Sequence, residues 1–278
     1  MIPLLRLCRP YYAVPMAGIL MLTIWYAVGH AMADLWPSAL RATLALAMVI
    51  AGGYTLNDVR DHRADRINSP SRPIPAGQVH PMTAAIWACG LLLGGLALAA
   101  TCRWQFLARL AIVTGTLVFY DLTSKHLGIG KQLLVALLMT SFYPLAFAQA
   151  GPDATAARTA TLYIFPVWLF LTSFGYEILK DMRDLPGDHI VAGVPSWIHR
   201  SPAQAIRLSR IAAVTGSLVL VGPALTGCGW VYLIFLPVAV LLAVWSCFLP
   251  QRQAIMAIYT QCVVVGVAAT ADIIILGP

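Results

Sequence analysis

The sequence predicts an all-α fold, a polytopic membrane bundle of nine transmembrane helices. Three observations predict it. The 278 residues are 60% hydrophobic and only 10% charged, against roughly 25% charged in an ordinary soluble domain. Mean hydropathy is +0.79. The apolar residues fall into nine runs, each about as long as the 20 residues that one crossing needs. Such a chain lacks the polar surface of a water-soluble globule, which argues against a soluble enzyme, a disordered tail or a fibrous repeat. Residues 1–278 read as a single membrane domain.

The runs follow in order at about 11–31, 38–56, 82–101, 104–121, 131–149, 160–178, 204–224, 229–249 and 253–275. The first lies behind Met1-Ile-Pro-Leu-Leu-Arg6. Because eight more runs follow, it reads as a span and not as a signal segment. The second ends where Asn57 and Asp58 begin a charged stretch. Runs three and four meet at Thr101-Cys102-Arg103-Trp104, seven and eight at Gly227-Cys228-Gly229, and eight and nine at Leu249-Pro250-Gln251-Arg252. Links this short join antiparallel neighbours. Pro15, Pro144, Pro166, Pro223 and Pro237 lie inside runs and mark expected kinks, which membranes tolerate. Gly90-x-x-x-Gly94 is expected to let two helices approach closely.

The six cysteines, Cys8, Cys89, Cys102, Cys228, Cys247 and Cys262, are scattered and form no CxxC. They read as small apolar residues, with no disulfide or zinc site. Net charge is +7, from 18 Lys and Arg against 11 Asp and Glu. No basic run with interleaved aromatics occurs, so no nucleic-acid partner is expected. Fourteen of the 18 basic residues fall on the side shared by the N-terminus and the even-numbered loops. The excess of Lys and Arg on cytoplasmic loops puts that side in the cytoplasm, with loops 57–81, 121–131 and 179–203. Eight of the 11 acids fall there too, as expected if a site is built at that face.

Two segments carry the chemistry. Asn57-Asp58-Val-Arg-Asp61-His-Arg-Ala-Asp65-Arg66 and Lys180-Asp181-Met-Arg-Asp184-Leu-Pro-Gly-Asp188 both read DxxDxxxD, and each acid of the second stands 123 residues after its counterpart in the first. Positions i, i+3 and i+7 share a helix face, so each segment can present three carboxylates together, with Pro186-Gly187 expected to end the second helix. Three carboxylates on one face repel unless positive charge lies among them. Arg60, Arg63, Arg66, Lys180 and Arg183 are interleaved and could screen part of this, but a solvated helix end does not account for two clusters of identical spacing. Oxygen-only ligands suit a hard cation, and Mg²⁺ commonly binds one or two carboxylates plus substrate phosphates. Two such clusters can hold metals that bridge a diphosphate and make it a leaving group. Arg72, in Arg72-Pro-Ile-Pro-Ala-Gly, and Lys125, in Tyr120-Asp121-Leu-Thr-Ser-Lys125, could contact phosphate oxygens. Gly128-Ile-Gly130-Lys131 is neither a P-loop nor a dinucleotide fingerprint. His62 and His189 border the clusters as polar neighbours.

At these residues the sequence resembles the UbiA-type intramembrane prenyltransferases. The resemblance rests on Asn57-Asp58-x-x-Asp61-x-x-x-Asp65-Arg66 with the trailing Arg72-Pro-x-Pro-x-Gly, on Lys180-Asp181-x-x-Asp184-x-x-Gly187-Asp188, on Tyr120 with Lys125, and on Arg9-Pro10. It implies nine helices around a central cavity, two Mg²⁺ ions and a prenyl diphosphate. It implies that Asp58, Asp61 and Asp65 hold one ion with help from Asn57, and that Asp181, Asp184 and Asp188 hold the other. Arg66, Arg72, Lys125 and Lys180 would contact diphosphate oxygens or balance charge. Within the superfamily, the stretch 68–77 and Glu177-Ile-Leu-Lys180-Asp181 are most similar to the branch of digeranylgeranylglyceryl phosphate synthase and chlorophyll synthase. Glycerophosphate-using members often carry Arg where this chain has Tyr176, so the acceptor is either a glycerophosphate lipid or an aromatic quinone precursor. The implied activity is transfer of a polyprenyl group to a small acceptor, in lipid or quinone biosynthesis, by a protein of the inner, cytoplasmic membrane in contact with its lipid. Two other readings stand beside it: a membrane terpene cyclase, in which the allylic cation attacks its own chain, and a secondary transporter, whose site would lie near the bilayer midplane.

Overall fold

The computed structural model describes residues 2–124, 127–154, 156–192 and 197–276, side chains at 153, 156–159 and 186–192 excepted. The described chain is helical with no strand: α1 (Ile2–Leu7), α2 (Pro10–Val28), α3 (Met32–Asn68), α4 (Pro81–Ala99), α5 (Trp104–Thr123), α6 (Gly130–Thr140), α7 (Phe142–Ala150), α8 (Ala156–Ala192), α9 (Trp197–Arg200), α10 (Pro202–Val219), α11 (Val221–Thr226), α12 (Trp230–Ser246) and α13 (Gln251–Leu276).

Seven segments among the described residues are long and apolar enough to cross a membrane, where the run pattern predicts nine. The first, Pro10–Asn68, is 59 residues long and holds both α2 and α3, which pack along each other beyond the 3-10 turn at Gly29–Ala31. The helix α12 is apolar but has only 17 residues.

Two predicted helices are divided. The run 131–149 becomes α6 and α7, and 204–224 becomes α10 and α11. Proline explains both. Pro144 has no N–H to give to the carbonyl of Thr140, the last residue of α6, and Pro223 has none for Val219, the last of α10. Pro15, Pro37 and Pro237 leave their helices continuous. The expected stop at Pro186-Gly187 does not occur, since α8 runs on to Ala192.

The feature that positions the site is length. Helices α3 and α8 have 37 residues each, about 55 Å at 1.5 Å per residue, against a hydrocarbon core of about 30 Å. Each therefore continues past its apolar run. The charged stretches 57–68 and 179–192 are extensions of spanning helices, as the shared helix face of their acids implies, so the loops drawn at 57–81 and 179–203 begin later than the run pattern put them.

The two long helices pack on each other. The largest apolar cluster of the interior includes Leu20, Ile24, Phe106, Leu110, Leu145 and Tyr232. Close approach of α3 and α4 falls on glycines other than the predicted pair. A methyl at Gly95 would stand 2.8 Å from the carbonyl oxygen of Ala45, and one at Gly52 would stand 3.1 Å from that of Ala88. Gly90 faces open space, and Gly94 would meet only the mobile end of Met48. Small residues at such crossings supply the packing that drives helix association in lipid. At one crossing a charge is used. Buried Asp272 of α13 accepts from the backbone N–H groups of Gly229 (2.7 Å) and Tyr232 (3.0 Å), satisfying the exposed donors that begin α12.

Candidate active site

The first cluster sits on the last turns of α3. Asp58 and Asp65 are buried, at 2% and 4% exposure, and Asp61 is half-buried. Arg72 donates from one nitrogen, Nη1, to both buried carboxylates, at 3.3 Å to Asp58 and 2.5 Å to Asp65. Its loop is self-supported. Backbone hydrogen bonds close the turns from Ser69 to Val79, Gly77 takes the left-handed φ of +71° that the last turn requires, and Ile74 and Val79 are buried against Leu7 and Ala84. Burial works against the Arg72 charge, but the carboxylates of Asp58 and Asp65 overcome it and hold its pKa above the ordinary guanidinium value.

A second guanidinium comes from the far end of the sequence. Arg9, between α1 and α2, donates to Asp58 and lies 4.9 Å above the ring of Tyr54. It has a left-handed backbone, with φ 45° and ψ 59°, the one positive φ outside glycine among the described residues. A side chain there costs about 1–3 kcal/mol. The ion pair and the cation–π contact are what hold it.

The second cluster lies on α8. Asp181 is 7% exposed and receives Lys131 Nζ at 2.7 Å and Gln132 Nε2 at 2.5 Å, both from the first turn of α6. Trp197 fixes Gln132 by donating to its Oε1 at 3.2 Å. Asp184 is half-buried and takes a two-pronged pair from Arg183, at 2.8 and 3.0 Å. Lys180 binds both oxygens of buried Glu177, at 3.0 and 2.9 Å. The clusters face each other: Asn68 of α3 donates to the backbone carbonyl of Asp184 at 2.9 Å, and Asp184 lies close enough to Arg72 to help hold its proton.

A third carboxylate source is α5. Asp121, 5% exposed, accepts at Oδ1 from Asn57 Nδ2 at 3.4 Å, and the same nitrogen donates to Asp61 Oδ2 at 3.2 Å.

Most of the predicted residues are thus brought to one end of the bundle. Asn57, Asp58, Asp61, Asp65, Arg72, Lys180, Asp181 and Asp184 meet where α3 and α8 extend past their apolar runs. Tyr120 is half-buried within electrostatic reach of Lys131 and Lys180. Tyr176 packs against the cluster formed by Leu179, Ala254, Ile255 and Ile258. Arg66 is exposed and makes no ion pair among the described residues. Lys125 and the side chain of Asp188 lie outside the described residues. His62 turns Nδ1 to the carbonyl of Val59 at 2.8 Å, as a polar neighbour.

Four contributors lay outside the sequence reading of the site: Arg9 as a counter-ion, Lys131, Gln132 and Asp121. Only Asp121 had a local signal, a carboxylate closing an apolar run.

The residues suit a hard divalent ion in kind. The donors are carboxylate and amide oxygens, with no thiolate among the site's polar groups, and one buried oxygen, Oδ2 of Asp121, has no hydrogen-bond partner. Among the described residues, no three acidic, His or Cys side chains converge tightly enough to enclose an ion. The buried carboxylates of the two clusters are held instead by Arg9, Arg72 and Lys131. A metal would displace these cations and release them toward a substrate.

Deeper in the bundle is an open apolar cleft lined by Tyr26, Tyr143, Phe165, Trp168, Leu169 and Val265 among others. Trp168 precedes Asp181 by 13 residues on one continuous helix, so the cleft lies about 20 Å farther along α8.

Comparison with known proteins agrees with this architecture. The model of the UbiA prenyltransferase family matches residues 16–260. The chain is 35% identical over 184 residues to the digeranylgeranylglyceryl phosphate synthase of Methanoculleus marisnigri, covering 66% of this chain and 63% of that protein, just under two thirds of its length. It is 31% identical over 214 residues to the synthase of the same name from Methanopyrus kandleri, covering 75% of each. Among solved structures it is similar to one of digeranylgeranylglyceryl phosphate synthase in membranes, with TM-score 0.74 and 21% identity over 97% of both chains. It is also similar to a UbiA homologue from Archaeoglobus fulgidus bound to GPP and Mg²⁺, with TM-score 0.71 and 14% identity over 98% of this chain and 100% of that one. At these identities the solved structures bear on the fold.

Proposed function

Because this chain belongs to the UbiA prenyltransferase family, we propose that it moves a polyprenyl group from a prenyl diphosphate to a small acceptor at the junction of α3 and α8. The observation that carries the reading is the pairing of two carboxylate clusters, equally spaced and facing each other above an apolar cleft. The solved relative that binds GPP with Mg²⁺ supports it.

Asp58, Asp61 and Asp65, with Asn57, would hold one Mg²⁺, and Asp181, Asp184 and Asp188 a second. Bound there, Mg²⁺ neutralises the diphosphate and improves it as a leaving group. Every other step belongs to the chain. Arg9, Arg72 and Lys131 exchange their carboxylates for diphosphate oxygens. Lys180 and Tyr120 stand beside them, and Lys125 and Arg66 would be further basic contacts. The prenyl C1–O bond breaks, and the electron pair leaves with the diphosphate. The acceptor's nucleophilic atom then bonds to C1 and loses its proton. The apolar cleft takes the tail and excludes water that would quench the allylic cation. Residues 1–278 act as one domain, their nine apolar runs cross the membrane, and the charged ends of α3 and α8 face the cytoplasm, following the excess of basic residues.

The acceptor we favour is a glycerophosphate lipid, because the curated relatives above are named for that product. Tyr176, which packs into an apolar cluster and supplies no cation, is what favours an aromatic acceptor instead. One experiment tests the reading. Purified protein with Mg²⁺ and labelled geranylgeranyl diphosphate is given glycerophosphate, hydroxybenzoate, homogentisate and naphthoate acceptors, with EDTA-treated and acceptor-free arms. Prenylation of one acceptor, abolished by EDTA and restored by Mg²⁺, is expected. Full turnover in EDTA would refute the metal assignment, and a cyclised product in the acceptor-free arm would refute the transfer.

A further inference from the structure

We propose that Asp121 is a metal ligand of this site, its carboxylate reaching from α5 to complete, with Asn57 and Asp61, the oxygen set of the first cluster. The inference rests on the two-cluster reading above and adds a third helix to it.

Four buried carboxylates in the site have a cationic partner: Asp58, Asp65, Glu177 and Asp181. Asp121 is as buried as they are, at 5% exposure, yet its one hydrogen bond is from a neutral amide. Its Oδ2 is shut off from solvent with no partner. Arg60 acts on it only through space: it gives its Nη2 to the carbonyl of Leu122 at 3.4 Å, and among the described residues no cation pairs directly with Asp121. A buried carboxylate with no direct cationic partner is costly. A fold that keeps one beside another acid implies that a cation joins it.

The position of Asn57 indicates where. Its Nδ2 stands within 3.4 Å of both Asp121 Oδ1 and Asp61 Oδ2. An N–H group shared by two carboxylate oxygens occupies the place a cation would take between them. A half-turn of the amide replaces its donors with its carbonyl oxygen. Asn57, Asp61 and Asp121 then offer three oxygens from two helices to one point. Magnesium's small, near-octahedral shell favours such convergence and leaves its remaining positions for water and phosphate. A purely structural Asp121, by contrast, would do its work through hydrogen bonds, and half of its carboxylate makes none.

The test measures metal binding, not turnover. Mn²⁺ is titrated into the purified full chain in the presence of a fixed excess of a non-hydrolysable geranyl diphosphate analogue. Free Mn²⁺ is read by electron paramagnetic resonance against a protein-free blank, and metal-free melting is recorded alongside. The Asp121→Asn variant keeps the shape and the contact with Asn57. It is expected to weaken Mn²⁺ binding about tenfold or more without lowering the metal-free melting temperature. Asp61→Asn serves as the reference. If Asp61→Asn weakens binding and Asp121→Asn binds as wild type does, this proposal is overturned and the two-cluster reading stands. If wild type retains no more Mn²⁺ than the blank, or neither variant differs from it, both are overturned. Should Asp121→Asn fail to fold, Asp121→Glu takes its place: it keeps the charge but displaces the oxygens, and wild-type affinity in that variant overturns the proposal equally.

Discussion

Removing Asp61 and Asp184, singly and together, separates catalytic from structural carboxylates, because these are the two site acids the fold needs least. Asp61 is half-buried, and one hydrogen bond it accepts comes from the neutral amide of Asn57. The Asp184 side chain is 27% exposed and its partner Arg183 42%, an exposed pair of a kind worth about 0–1 kcal/mol. Asp184 holds α3 through its backbone carbonyl, which substitution by Ala leaves in place. Each Asp→Ala change should therefore shift stability by no more than about 1 kcal/mol, and losing one carboxylate from a crowded set relieves repulsion. The effect on rate should be of another size. Deleting one group that stabilises charge developing in a transition state costs about 10²–10³ in kcat. If both clusters grip one diphosphate, the second deletion removes little that the first has not already disabled. The double variant should then lie within about tenfold of the worse single, far short of the product of the two losses. Turnover of labelled prenyl diphosphate is measured beside thermal unfolding for all four proteins. Singles that keep most of their activity, or losses that multiply in step with falling stability, would refute the two-cluster site.

Two further predictions concern the frame. Asp272→Ala should destabilise the protein by about 2–4 kcal/mol, because it leaves the partly buried N–H of Gly229 and the buried N–H of Tyr232 without an acceptor; faster thermal inactivation with unchanged initial rate is the expected signature, and unchanged inactivation would refute the cap. Arg200→Cys, at the exposed end of α9, in a background with exposed Cys89 replaced by Ser, should react with a membrane-impermeant maleimide only from the cytoplasmic face; labelling from the opposite face alone would reverse the proposed orientation.

The spans and the acidic clusters were legible because each obeys a local rule. Twenty apolar residues cross a membrane, and i, i+3, i+7 carboxylates share a helix face. The boundary between them was misread for the same reason. Hydropathy drops at Asn57 and again beyond Ile178, and a hydropathy rule reads that drop as an end. The helices continue, since nothing between 57 and 68 breaks their hydrogen bonding and Pro186 did not do so in α8. Hydropathy reports the solvent around a helix, not its length. The divisions at Pro144 and Pro223 had a visible cause, but the sequence does not show which prolines break a helix and which, like Pro15, ride within one. The counter-ions were the least legible. Arg9 meets Asp58 across 49 residues and Lys131 meets Asp181 across 50. No periodicity links such pairs, and each cation taken alone reads as a charge at the end of a span.

That concealed layer also explains how an apolar bundle can keep its acids buried before substrate arrives. Exposed carboxylates would need no partners. Buried ones need compensation, and Arg9, Arg72, Lys131 and Lys180 provide it from four separate regions: the start of α2, the loop after α3, helix α6 and helix α8. The same four cations are the groups a diphosphate would seek. A metal–diphosphate complex satisfies both halves at once, metal to carboxylate and phosphate to Arg or Lys. A metal alone would strand the cations, and a diphosphate alone would strand the carboxylates. The ion pairs therefore favour joint entry of the two over entry of either by itself. On the proposed reading, the site would carry its selectivity for a metal-bound diphosphate in the way it neutralises itself.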